Sequence, residues 1–455
     1  MIEQVVSFID ELQWQDLPIS VRHQAKRCLL DTIGCAIGAR QTQLSRIMYD
    51  FAAQMHNGKI NRLWLDGRQV SALGAVLAHG TTIDALDIHD NCNMVKGHAG
   101  VAIIPTVLAM VEQLEKQPSG QEVLTSIVVG YEIAIRAGLA LHAAACDYHS
   151  SGAWNALGCA AVAARYSKLD AESTRHALGI AEYHGPRSQM MRCINTPTML
   201  KDGSGWGAMT GLSAAWMAHS GFTGAPAITV ESEAHRSIWD DIGIEWHISH
   251  QDFKRYAVCH WAQPAIASTL QLIRIHHVSP RQIREIRVFT FHEATRLNNC
   301  RPQNTEQAQY SLPFPVAAAV FHNHLGPSEL SGAALENPDV LRLAESVRLV
   351  EDDECNARFP EQQTAYVEIE LMDGKMLNSE WCFAPWDILD IPATDDELQE
   401  KFHWLVGGNL PEERARTLGA LLWGYDDVMD AQAVFPLLLP ADVEKINAFA
   451  KMRGE

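Results

Sequence analysis

The stretch DALDIHDNCNMVKGHAG, Asp84–Gly100, places three carboxylates (Asp84, Asp87, Asp90) and two imidazoles (His89, His98) within fifteen positions. Such a set can hold a metal, move protons, or serve as a polar loop without chemistry. Further polar groups stand beside apolar runs: Tyr148-His149 in CDYHSSGAWNALG, Arg192, Lys201 in TPTMLKDGSG, and Lys254-Arg255 followed by Cys259-His260 in FKRYAVCHWAQP. Each alone has a plain explanation, since a single histidine near a helix end is more often a core or capping group. Their repetition at the starts of small-residue helices asks for a shared cleft. Basic groups clustered in one cleft can bind an anion, and imidazoles near neutrality suit proton transfer.

Three competing readings need weighing. The adjacent His89-Asp90 has the look of helical HD-type metal phosphohydrolases, with His79 available upstream, but a chain with 20 histidines offers such partners by chance. The glycines of KDGSGWGAMTG (Gly205, Gly207, Gly211) miss the spacing of a dinucleotide loop and follow no strand. Close helix packing accounts for them better. Glu132 and Arg136 in YEIAIR read as an i,i+4 helix pair contributing a few tenths of a kcal/mol.

The elements that must position these groups are mostly helical. The chain has 455 residues, 47% hydrophobic and 20% charged, which suits an ordered globular protein of about two domains. Its formal charge of −19 speaks against a general nucleic-acid surface. Acids near the start and the lack of any run of about 18 apolar residues predict neither signal peptide nor membrane span. The ten cysteines form no Cys-x-x-Cys pair, so free thiols in a reducing cytoplasm are expected.

Apolar residues recur at three- and four-residue intervals in SVRHQAKRCLLDTIGCAIGA, VSALGAVLAHGTTIDAL, HAGVAIIPTVLAMVEQLEKQ and EVLTSIVVGYEIAIRAGLALHAA. Near residue 276 the pattern changes. IRVFTF, Ile286–Phe291, reads as a strand, and YVEIELMDGKMLNSEW as a hairpin about Asp373-Gly374. YSLPFPVAAAVFHNHL and PDVLRLAESVRLV read as helices between them. The predicted fold is mainly α: an all-helical domain over 1–275 and 391–455, with a smaller α+β lid domain over 276–390.

Taken in order, LLDTIGCAIGA, AVLAHGTTIDALDIHDN, GHAGVAIIPTVLAMVE, VVGYEIAIR, HALGIAEYHG, GFTGAP, KRYAVCHWAQPAIAS and QYSLPFPVAAAV resemble the MmgE/PrpD family. That family includes 2-methylcitrate dehydratase, cis-aconitate decarboxylase and iminodisuccinate epimerase. The second segment looks like its N-G-x-x-x-H-x-L-D-F-D-D run. The resemblance implies a homodimer with the active site between the two domains, and neither metal nor organic cofactor. Carried across, the active-site Asp falls on Asp87, the histidines on His98 and His149, and the lysines on Lys201 and Lys254. Four positions depart from the pattern. His89 stands for an acid, Asn91 for a hydroxyl residue, Cys259 (with His260 beside it) for a histidine of the decarboxylases, and Phe314 for their pocket tyrosine.

The expected catalytic set is therefore Asp87, His98, His149 and Lys201, with His98 and His149 sharing acid and base duties and Asp87 orienting one imidazole. Lys254, Arg255, Cys259, His260, Arg192, His89 and Asn91 are expected to bind substrate. The expected activity is a cofactor-free hydro-lyase on a small di- or tricarboxylate. An epimerase and then a decarboxylase follow, with a metal phosphohydrolase or a non-catalytic dimeric scaffold as readings from other classes.

Overall fold

The computed structural model describes residues 1–440; the last stretch of the expected C-terminal helical region, 441–455, lies outside the described residues. Long helices dominate: α1 (Ile19–Gly38), α2 (Ala72–Asp84), α3 (Gly100–Gln113), α4 (Gly120–Ala144), α5 (Gly152–Ser167), α6 (Ala171–His184) and α7 (Ser204–His219). Helix α4 is apolar on most faces because it runs through the centre, with 94% of its most apolar window buried. Its start is held by a reciprocal cap. The Ser119 hydroxyl accepts from the Glu122 amide at 3.3 Å, and the Glu122 carboxylate accepts from the Ser119 amide at 2.6 Å.

The glycines within α7 are packing residues. A Cβ on Gly207 or Gly211 would collide with the backbone oxygens of Gly152 and Ala156 on α5. Small residues on both helices thus set the close approach, as their abundance in the sequence predicts.

The expected all-helical body contains one short ribbon, β1 (Asn61–Arg62) paired with β2 (Gln69–Val70). It turns at Asp66-Gly67, where Gly67 has φ +82°. This is the same Asp-Gly signal that marks the later hairpin.

Beyond α8 (Gln263–Ile275) comes a five-stranded mixed sheet: β3 (Ile283–Thr290), β4 (Val347–Glu351), β5 (Thr364–Leu371), β6 (Met376–Asn378) and β7 (Cys382–Phe383). The order is β4-β3-β5-β6, with β7 also on β5. Ile286 opposes Ile369 and Val288 opposes Val367 in the antiparallel β3–β5 pair. The expected hairpin is β5–β6, with Gly374 at φ +84°. PDVLRLAESVRLV is not one helix. It splits into a helix, Pro338–Ala344, and strand β4, which runs parallel to β3. Val347, Leu349 and Val350 gain a ladder and a packed face there, which a seven-residue helix cannot match.

Helix α9 (Pro313–His322) lies in the crossover between β3 and β4. Helix α8 buries Ala265, Ile266, Thr269, Leu270 and Ile273 and packs on β5, β7 and α9. The boundary expected at 275/276 therefore falls between this helix and the sheet it covers. After the sheet, α10 (Asp395–Val406) returns to α1, and Lys401 reaches Asp31 at 2.6 Å.

The Glu132–Arg136 pair departs most from its sequence reading. Both side chains are fully buried. The Arg136 guanidinium donates to the Ile238 carbonyl and the Asp241 carboxylate at 2.6 Å each, and to the Glu245 carbonyl at 2.8 Å. Glu132 accepts from the Ile248 amide at 2.9 Å. The pair anchors the 236–250 segment to the central helix, so it is a buried hub rather than a surface pair. Arg136→Met is expected to destabilise the protein by about 3–5 kcal/mol, because Glu132 is left buried without its cation. Urea unfolding against wild type measures this; a loss below about 1 kcal/mol, the range of exposed pairs, contradicts the assignment.

Candidate functional site

The segment joining α2 to α3 is buried along almost its whole length, although it is irregular. Its polar groups find fixed partners. Asp90 accepts from the Tyr131 hydroxyl at 2.6 Å and from the Gly100 amide at 3.3 Å. The Ile88 carbonyl accepts from Lys401 at 2.7 Å, and Asn91 and Asp252 exchange backbone hydrogen bonds at 2.9 and 2.7 Å. Three charged residues of the site have left-handed backbones, Asp87 at φ +49°, Lys96 at φ +51° and Lys201 at φ +48°. Non-glycine residues adopt this conformation rarely, and such strain concentrates at functional sites.

Asp87 is the electrostatic centre. Lys254 donates both to its carboxylate and, at 3.1 Å, to its carbonyl oxygen. Burial alone would raise the Asp87 carboxyl, but Lys254, Lys201 and His98 outweigh it and hold it below the usual carboxylate range. An ammonium has three donors, so one remains on Lys254 for a further anion.

His98 Nδ1 lies 2.6 Å from the Asp90 carbonyl oxygen. A carbonyl only accepts, so Nδ1 carries the proton and Nε2 presents its lone pair. Burial and then Lys254 press this imidazole down to about 3, against the opposing pull of Asp87. His98 is therefore a neutral acceptor at physiological pH. The expectation that Asp87 orients an imidazole is corrected here. The Asp90 backbone does so, while Asp87 is engaged by Lys254 and stands 3.9 Å from His98 Nε2.

A second acid of the cleft is shifted the other way. Asp202 accepts from the Ser151 hydroxyl at 2.6 Å, and its amide donates to Asp84 at 3.3 Å. Burial, and for Asp84 the charge of Asp202, raise both carboxyls. The two titrate together, so the upward shift belongs to the pair.

The cleft lies where the α2–α3 segment meets the α+β unit. Asp87, Asn91, Lys96, His98, Asp202, Lys254, Cys259, His260, Tyr310 and Gln363 supply its polar lining, and Met190, Ile194 and Trp261 its apolar wall. His260 Nδ1 meets Gln363 Oε1 at 2.7 Å, and Lys201 donates to Gln309 beside the cleft. The Cys259 thiol is raised to about 12 by burial, so it stays protonated.

The sequence-predicted residues separate clearly. Asp87, His98, Lys254, Cys259, His260 and Asn91 line the cleft, and Lys201 stands directly behind Tyr310, 5.0 Å from its ring. His89 is fully buried behind His98, with ring centroids 4.3 Å apart. His149 does not line the cleft, and its Nδ1 sits 3.1 Å from the Asp147 carbonyl. Arg192 is exposed outside it, although Met190 and Ile194 of the same turn line it. Arg255 faces away and covers Trp386 at 5.5 Å. His79 is stacked on Trp64 at 3.9 Å and accepts from the Trp64 amide at 3.1 Å, so it is no partner for His89-Asp90.

Lys96, Asp202, Tyr310 and Gln363 were not anticipated from sequence. Asp202 adjoins Lys201, and Tyr310 belongs to QYSLPF, so proximity to a known segment was the available signal; nothing marks Gln363.

The chain was compared with known families and proteins. The N-terminal domain model of MmgE/PrpD matches residues 3–235, and the C-terminal domain model matches residues 256–425. The chain belongs to the MmgE/PrpD family. It is 22% identical to a cis-aconitate decarboxylase of Aspergillus terreus over 474 residues, covering 96% of this chain and 95% of that one. It is 21% identical to a cis-aconitate decarboxylase-like protein of Aspergillus oryzae over 482 residues, covering 96% of each.

Within this MmgE/PrpD chain the departures compensate one another in space. In the N-G-x-x-x-H-x-L-D-F-D-D alignment the histidine position is Asp84 and the substituted acid is His89. Their side chains face each other, His89 Nε2 lying 3.7 Å from Asp84 Oδ1. An acid and an imidazole have exchanged places. Phe314 is buried in α9, but Tyr310, four residues earlier and ahead of that helix, brings a phenol to the cleft. Cys259 and His260 both line it, so an imidazole is kept at that wall.

Lys254→Met tests the centre of the site. It leaves Asp87 buried without its main cation, at an expected cost of about 3–5 kcal/mol at neutral pH. In wild type the Asp87 pKa is lowered, so its contribution is complete above the unfolded value of about 3.9 and is lost as pH falls through the folded value. In the variant burial dominates and the sign reverses, so stability falls as pH rises from about 4. Urea unfolding across that range reads the slope; parallel wild-type and variant profiles contradict the pairing.

Proposed function

We propose that this protein is a lyase that removes water from a small di- or tricarboxylate by abstracting a proton beside a carboxylate. One observation carries the reading: a neutral imidazole with a free lone pair (His98) and a carboxyl raised by burial (Asp202) share a cleft with the buried Lys254 ammonium. Dehydration needs those three parts. His98 Nε2 accepts the proton from carbon, and Lys254, with Lys201 behind Tyr310 and Lys96 at the rim, stabilises the enediolate charge on the neighbouring carboxylate. Asp202 delivers its proton to the departing hydroxyl, which leaves as water.

The cleft volume is about 30 Å³, room for roughly one water molecule, whereas small-molecule sites run from roughly 300 Å³ upward. Substrate access requires the α+β unit to draw back, and the Gln363–His260 and Gln309–Lys201 hydrogen bonds are the contacts that must part.

Decarboxylation is the second reading. It is favoured by the names of the Aspergillus relatives and by the phenol of Tyr310, which could protonate the carbanion after carbon dioxide leaves. Incubation with 2-methylcitrate, citrate and cis-aconitate, followed by alkene absorbance and carbon dioxide release, separates the two. Alkene formation from a hydroxy acid supports dehydration. Carbon dioxide from cis-aconitate without it supports decarboxylation, and neither product rejects both.

For the dehydration reading, His98→Gln is expected to lower kcat/KM by about 10²–10⁴-fold, whereas His149→Ala stays near wild type. Asp202→Asn should abolish the high-pH limb of the profile along with most turnover, because activity in wild type falls as the raised Asp84–Asp202 pair loses its proton. Full activity in His98→Gln, with folding intact, overturns the assignment.

A further inference from the structure

A second buried cluster adjoins the cleft and takes no part in the chemistry above. Asp252 precedes Lys254, His260 stands just before α8, and Asp387 follows β7. The three residues are 1%, 4% and 0% exposed. One carboxylate oxygen from each aspartate and one ring nitrogen of His260 all lie within 4.8 Å of one another.

The polar bookkeeping of this cluster does not close. Asp252 Oδ1 accepts from the Ile388 amide at 2.6 Å, but Oδ2 has no hydrogen-bond partner. Asp387 accepts from the Leu389 amide at 2.8 Å and, at a long 3.4 Å, from the Asn93 side chain. No Lys or Arg forms an ion pair with either carboxylate among the described residues. His260 spends Nδ1 on Gln363 Oε1, which leaves Nε2 buried and unpartnered. Two buried acids side by side, without a cation, are strongly unfavourable as a pair of anions.

We propose that Asp252, His260 and Asp387 bind a divalent transition-metal cation of the Mn²⁺ or Zn²⁺ class, which fastens the turn after β7 to the segment carrying Lys254. The donor set suits those ions, mixing two carboxylates with one imidazole. The surroundings match a metal-bound histidine as well. The nitrogen facing away from the site donates to a fixed acceptor, Gln363, and so fixes the tautomer that leaves Nε2 free. Asn91 and Asn93 brace the far side, with Asn91 donating to Asn93 at 2.8 Å and Asn93 to Asp387. Protons compete with a cation for carboxylate and imidazole ligands, so affinity is expected to fall as pH is lowered. Its two carboxylates lie outside the cleft lining, and His260 is the residue it shares with the cleft.

The test titrates the chelator-stripped full chain with MnCl₂ and with ZnCl₂ by calorimetry, and soaks wild-type crystals in MnCl₂ for anomalous diffraction. The expected result is one equivalent per chain, lost in Asp387→Asn with unchanged circular dichroism. An anomalous peak is expected within about 2–2.5 Å of ligand atoms from all three residues. The crystal measurement decides the matter even if Asp387→Asn does not fold. Absence of saturable binding by both metals, undiminished binding in folded Asp387→Asn, or a peak elsewhere overturns the site and leaves the acids sharing a proton.

Discussion

The buried pairing of Asp87 with Lys254 is the constraint around which the rest of the site is arranged. A lone carboxylate or ammonium at that depth would lose its charge, because desolvation outweighs what scattered dipoles return. Together they hold a fixed cation against the floor of the cleft. That fixed charge propagates. It helps to depress His98 and His260, while burial raises Asp202 against its pull. Shifts in opposite directions within one small cleft follow from a single charged pair plus burial. The left-handed backbones of Asp87 and Lys201 show that the fold accepts local strain to aim these side chains.

Behind the cleft the same economy recurs. Asp31 with Lys401, and Asp90 with Tyr131, satisfy an irregular segment that runs through the interior where regular secondary structure would ordinarily be needed. The exchange of Asp84 and His89 belongs to this supporting layer. The two side chains face each other at 3.7 Å, too far for a hydrogen bond. The layer holds this paired change while the lysines and His98 face the cleft unaltered.

Much of the helical plan was legible because it rests on local signals. The 3.6-residue periodicity located α1 to α4, and the Asp-Gly turn located the β5–β6 hairpin. The misses had non-local causes. VRLV at 347–350 continues a helical pattern, and only the free edge of β3 makes it a strand. The ion pair Glu132–Arg136 has a surface-helix spacing, and only the 236–250 segment lying over it makes it a buried hub. Within the site, residues next to recognisable segments could be reached from the sequence. Gln363 could not, since a glutamine before a strand carries no mark of what it will face.

By itself the sequence determined the succession of helices, the change to an α+β pattern near residue 276, and the family, through residue types kept in order along the chain. Which of those residues meet was decided only by tertiary structure. His149, Arg192 and Arg255 were as plausible in sequence as His98 and Lys254, yet backbone turns direct them away from the cleft, while Asp202 and Tyr310 are brought in. Protonation states also belong to the fold. The same aspartate is lowered at 87 and raised at 202 by desolvation and neighbouring charge, quantities that exist only once distant segments have packed together.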